Sequence, residues 1–304
     1  FITCTSTAKQ RPEGGWLWKI SGNGLSHPSY LFGTYHGTYD ILYQYTDSIP
    51  ELHQAFNACS QFAGESETTS KPTPAQVGVA IKLPKDTTYA DLLNKEDFHF
   101  LDSIVRQSLK SPLNKVYIKP NFLALILGEI EKGKKLVDTG YSQSRIDSMK
   151  SQVMDIALEK KAKEKGLTIV GLEGIFDAFV SEKSNLKKEA DELISDLRED
   201  DEISPLSFVN TLSDVYRTQN MKSLIDFEVK VDSIFRTSPK LTEIGKRIRE
   251  DLLKRRNLNW MNKIPELMKA QPTFIAVGVR HLPGKDGLIA LLLEKGYQVE
   301  PIGL

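Results

Sequence analysis

The chain has few cysteines, no excess of charge and no long apolar run, and each shortage excludes something. Two cysteines in 304 residues, Cys4 and Cys59, give no disulfide framework, so the fold must stand on its hydrophobic core. Forty Lys and Arg balance forty Asp and Glu, a net charge of +0, which leaves no field to recruit nucleic acid or an anionic membrane. The longer apolar runs, such as Leu288 to Leu293, fall far short of the roughly 20 residues that a membrane helix needs. Lys160-Lys161-Ala162-Lys163-Glu164-Lys165 interleaves acid with base, the make-up of a solvated helix face rather than a nucleic-acid patch. Hydrophobic residues at 40% nevertheless supply material for a sizeable core.

The first residue is Phe and not Met, and the expectation drawn from it is an exported bacterial protein, periplasmic or attached to the cell envelope. Residues 1–13 read as a flexible leader, and Phe1-Ile2-Thr3 is a poor context for a lipid anchor on Cys4. Residues 14–304 read as one α/β domain. An opening hairpin is expected from Trp16-Leu17-Trp18-Lys19-Ile20 and Ser29-Tyr30-Leu31-Phe32 around Gly22-Asn23-Gly24. Further strands are expected at Gln61–Gly64, Leu167–Leu172, Thr273–Val277 and Tyr297–Ile302. Apolar residues three and four apart predict helices over 50–59, 121–132, 143–165, 175–199, 221–235, 241–269 and 286–295. The fold class is therefore a central mixed sheet built from N- and C-terminal segments, with a helical cover within about 75–270.

Two Gly-x-x-His tetrads carry the chemistry. Gly33-Thr34-Tyr35-His36 and Gly278-Val279-Arg280-His281 each follow a predicted strand, and Glu65 ends a third. A right-handed strand–helix–strand crossover makes the first and third of these strands parallel, so His36 and Glu65 leave the same edge, where open α/β sheets bind ligands. His281 can converge on them. Two imidazoles and a carboxylate suit a divalent ion such as Zn, Mn or Co, with a position left for water. Arg280 sets a cation immediately before His281, which either disfavours a metal there or binds a substrate carboxylate. His27, His53 and His99 lack comparable context.

These stretches also carry a resemblance. Leu17-Trp18-Lys19-Ile20, Tyr30 to His36, Phe62-Ala63-Gly64-Glu65-Ser66-Glu67, Met154-Asp155, Val170 to Glu173, Arg256-Asn257 with Trp260, and Val277 to Gly284 resemble the TraB/GumN family over nearly the whole chain. The resemblance implies an α/β fold related to erythromycin-esterase-like proteins, and the metal-dependent peptidase activity of the Tiki metalloproteases. On that basis His36, Glu65 and His281 are expected to hold the metal, Glu67 or Glu173 to accept a proton from water, and Arg256 to steady an oxyanion. The expected substrate is a peptide or small molecule, with no nucleic-acid partner. Two other functions stay open: a metal-free, esterase-like hydrolase with a His base, and a non-catalytic protein that binds a peptide or signalling molecule.

Overall fold

A computed structural model describes residues 14–35, 50–67, 72–138, 140–144, 153–177, 185–198 and 212–303. The chain divides into two compact units, one of Phe1–Thr69, Ser151–Gly174 and Pro205–Leu304, the other of Ser70–Lys150 and Ile175–Ser204. The stretch expected to form a helical cover is thus shared between both. The second unit has its own core, in which Leu101, Val105, Leu113 and Leu123 pack with Ala190 and Leu193.

The first unit holds a six-stranded sheet: β1 (Leu17–Ser21), β2 (Ser29–Thr34), β3 (Gln61–Gly64), β4 (Thr168–Gly171), β5 (Thr273–Gly278) and β6 (Gln298–Ile302). Their order is β4-β3-β5-β2-β1-β6. The four strands from β4 to β2 run parallel, while β1 is antiparallel to β2 and β6. Burial explains the placement. Thr273-Phe-Ile-Ala-Val-Gly278 and Gln61-Phe-Ala-Gly64 are buried at every position, as strands covered on both faces must be. Gln298–Ile302 is mostly exposed and carries Pro301, which cannot donate to a ladder and belongs on an edge.

Several helices match their expected spans. Met221–Phe235 does so at both ends, with Asn220 accepting from Lys222 N (2.8 Å) and Ser223 N (3.3 Å) as its cap. Three expectations need correction. Ile175–Asp177 is a turn rather than a helix start, because the chain leaving β4 keeps bonding to β3's continuation: Leu172 N donates to Gly64 O (2.9 Å) and Glu173 N to Glu65 O (2.8 Å). The long helix expected over 241–269 is broken into Pro239–Arg247, a π-helical stretch Ile248–Lys254, Arg255–Trp260 and Ile264–Ala270. Pro265, in the first turn of the last piece, favours a break ahead of it. Of the helix expected over 143–165, the described part that forms one continuous helix is Met154–Glu164.

The glycines of the two tetrads lie on neighbouring strands, with Gly33 opposite Val277 and Thr34 opposite Gly278. The contact is close enough to exclude a side chain: a Cβ on Gly33 would lie 2.8 Å from Val279 Cγ2 and 3.1 Å from Val279 Cα. We predict that Gly33→Ala lowers stability by about 1–3 kcal/mol in urea melts, through overpacking. Gly78→Ala, in the helix Pro74–Ile81 where a Cβ meets nothing within 4 Å, should instead be neutral or stabilising by up to about 1 kcal/mol. Equal effects of the two would contradict the close approach.

Cys59 precedes β3 and belongs to the core of the sheet unit. Burial pushes its thiol up to about 12, against the lowering pull of Lys165. We therefore predict alkylation by iodoacetamide at pH 8 to be ~10²–10³-fold slower in the folded protein than in urea, read on the Cys59 peptide by mass spectrometry. Because the folded value is raised, the thiol's contribution to stability is full below the ordinary thiol range and is lost as pH rises towards about 12.

Candidate functional site

Three neighbouring parallel strands deliver polar residues to one edge. Glu173 follows β4, Glu65 follows β3, and His281 follows β5 in the 3₁₀ turn Val279–His281. His36 itself lies outside the described residues. The end of β2 is held firmly: Thr34 Oγ1 donates to Asp155 Oδ1 (2.7 Å), and Tyr216 OH donates to Gly33 O (2.8 Å). Tyr216 stacks between Trp16 and Tyr35, each with ring centroids 5.3 Å away.

Arg256 sits at the centre. Its Nη2 donates to Glu65 Oε2 (2.5 Å) and Glu173 Oε1 (2.5 Å), and its Nε to both Glu173 oxygens (3.0 and 3.1 Å). Its Nη1 makes the two longest contacts, 3.4 Å to Leu252 O and 3.3 Å to His281 Nε2. Side-chain exposure is 10% for Arg256, 16% for Glu65 and 11% for Glu173, so all three ions are largely out of water. Burial alone would pull the guanidinium pKa down, but the hydrogen bonds and charges of Glu173 and Glu65 outweigh it and hold the value above the ordinary one.

The other oxygens are also engaged. Glu65 Oε1 accepts from Gly278 N (2.7 Å) and lies 3.7 Å from His281 Nε2. Glu173 Oε2 accepts from Trp260 Nε1 (3.0 Å). Asn257 Oδ1 lies 2.7 Å from His281 Nδ1, and Asn257 Nδ2 donates to His281 O (3.2 Å) and Asp286 O (2.8 Å). The structure therefore brings together Glu65, Glu173, Arg256 and His281. Glu67 goes elsewhere, pairing at 3.7 Å with Lys163 and staying 42% exposed. Sequence reasoning quoted Asn257 and Trp260 only as parts of a resemblance. Their contacts to His281 and Glu173 span 24 and 87 residues and leave no local signal beyond the spacing of Arg256, Asn257 and Trp260 on one helical turn.

Arg280 has a settled partner. Its Nε and Nη2 donate to Glu228 at 2.5 and 2.9 Å, so its fork is occupied by a carboxylate of this chain rather than held open for a substrate. Glu228→Gln should cost about 1.5–3 kcal/mol in a chemical melt, the loss of a charged hydrogen-bond partner. Unchanged stability would mean that Arg280 does not depend on Glu228.

Among the described residues, no group of three or more His, Cys, Asp or Glu is gathered as for a metal ion, and no helix is long and apolar enough to cross a membrane. Comparison with curated proteins found no match. Comparison with solved structures found none either. Residues 16–301, nearly the whole chain, match the TraB/PrgY/gumN family, and the chain belongs to it.

Proposed function

We propose that the protein is a hydrolase of peptides, working at the carboxyl edge of the four parallel strands. The observation that carries this reading is the pairing of Glu65 with His281 Nε2, 3.7 Å apart beside a buried guanidinium. Two donors each about 2.0–2.2 Å from one ion can lie up to about 4 Å apart, so this pair suits a divalent cation in both type and spacing. The donor types support it as well, since carboxylate and imidazole are ligands that such an ion takes. His36, two residues beyond the end of β2 in sequence, is the proposed third donor. A divalent ion such as Zn, Mn or Co, when bound, supplies a Lewis acid for the scissile carbonyl and a more acidic water.

The chain's own residues divide the remaining work. Glu173 already accepts from Arg256 and Trp260 on both oxygens, so it serves to hold Arg256 rather than to take a proton. Glu67, paired with Lys163 outside the cluster, would have to leave that pairing to accept a proton here. Arg256 Nη1, whose contacts are the longest of that guanidinium, is the donor that can exchange one of them for a developing oxyanion.

One observation favours a second reading. Arg256 Nη1 stands 3.3 Å from His281 Nε2, on the approach a metal would use, and once Nη1 turns to an oxyanion Nε2 can act as a base on water without a metal. The test is elemental analysis with a peptide-library cleavage assay on wild type, His281→Ala and His36→Ala. The proposal expects bound metal and a loss of ~10²-fold or more in cleavage for both variants. Full activity after exhaustive chelation selects the metal-free base. Equal cleavage by wild type and His281→Ala, or a peptide bound tightly and recovered uncleaved, overturns the hydrolase.

A further inference from the structure

We infer that Asn257 is a positioning residue that fixes His281 as the neutral tautomer, with its proton on Nδ1 and its lone pair on Nε2. The inference rests on the hydrolase reading for its kinetic consequence alone.

The argument uses partners that can act in one direction only. Asn257 Nδ2 donates to two backbone carbonyls, His281 O and Asp286 O, and neither can donate in return. That orients the amide and leaves Oδ1 facing His281 Nδ1 at 2.7 Å. An amide oxygen only accepts, so the proton is on Nδ1. On the opposite side of the ring stands Arg256 Nη1 at 3.3 Å, and a guanidinium has no acceptor, so Nε2 accepts. Glu65 Oε1, 3.7 Å from Nε2, is too far to demand a proton there. The two contacts agree on one tautomer, and the shorter one, to Asn257, is the one that fixes it. A doubly protonated ring would set an Nε2–H against the guanidinium N–H.

The clamp is local and dry. Arg256, Asn257 and Trp260 lie within the single helix Arg255–Trp260, and the Trp260 ring packs 4.5 Å from the imidazole centroid. Asn257 is 2% exposed and His281 is 4% exposed, so water does not compete for Nδ1. An aspartate at this position would add a negative charge beside the ring and favour the imidazolium. The neutral amide orients the ring without doing so, which is what either a metal ligand or a base requires.

The test is two-bond ¹⁵N–¹H correlation on the ¹⁵N-histidine-labelled full chain, with the His281 signals assigned by their loss in His281→Gln. Wild type should give a protonated Nδ1 and an unprotonated Nε2. Asn257→Leu should lose that signature, shifting towards Nε2–H or an average of the two, whereas Asn257→Asp, which keeps the acceptor, should retain Nδ1–H. Cleavage should fall ~10–100-fold in Asn257→Leu and recover in part in Asn257→Asp. An unprotonated Nδ1 in wild type overturns the inference without need of any variant, as does a folded Asn257→Leu with the wild-type signature. An Nδ1–H signature in a protein that cleaves nothing upholds the role of Asn257 while overturning the hydrolase reading.

Discussion

The guanidinium of Arg256, wedged between Glu65 and Glu173, is the interaction on which the site depends. Two carboxylates taken out of water would repel each other and each would cost several kcal/mol of hydration. One planar cation compensates both, because its fork reaches Glu173 through Nε and Nη2 and Glu65 through the same Nη2. Glu65 comes from the end of β3, Glu173 from the end of β4, and Arg256 from a helix far along the chain. The ion cluster therefore ties three elements whose partners are 191 and 83 residues apart in sequence. Backbone contacts reinforce the tie, since Glu65 Oε1 also holds Gly278 N at the end of β5.

This cluster also sets what each residue is able to do. Glu173 is committed to Arg256 and Trp260, so its charge works through the arginine. His281 is gripped by neighbours on one helical turn, Asn257 at Nδ1 and Arg256 at Nε2, with Trp260 against the ring. Glu67, two residues beyond Glu65, belongs to a different pairing with Lys163. The close approach of Gly33 to Val279 links the two tetrads, because the residue packed on Gly33 starts the turn that ends in His281.

Much of the framework was legible in the sequence, for a physical reason. The strands β3 and β5 are continuous apolar runs because both of their faces are buried, and such runs stand out from amphipathic surroundings. The handedness of the strand–helix–strand crossover set the strands before His36 and Glu65 parallel, with the strand before His281 able to converge on them, and the parallel pairing of β2, β3 and β5 agrees with this. What escaped the reading depends on distant partners. A strand-terminal carboxylate such as Glu173 looks like a base until the arginine and tryptophan that occupy it come into view. The π-helical stretch Ile248–Lys254 keeps the apolar spacing of an ordinary helix, so periodicity alone ran it into its neighbours. Just ahead of the turn at Ile175–Asp177, Leu172 and Glu173 bond to Gly64 and Glu65, 108 residues away.

A double-mutant cycle between Arg256 and Glu173 tests the central claim most directly. Stabilities of wild type, Arg256→Met, Glu173→Gln and the double variant would be measured by urea unfolding. If the buried cation exists to compensate this carboxylate, the double variant should be less destabilised than the sum of the single ones, with a coupling of about 0.5–3 kcal/mol. Additivity to within about 0.3–0.5 kcal/mol would contradict the claim that the pair holds the site together.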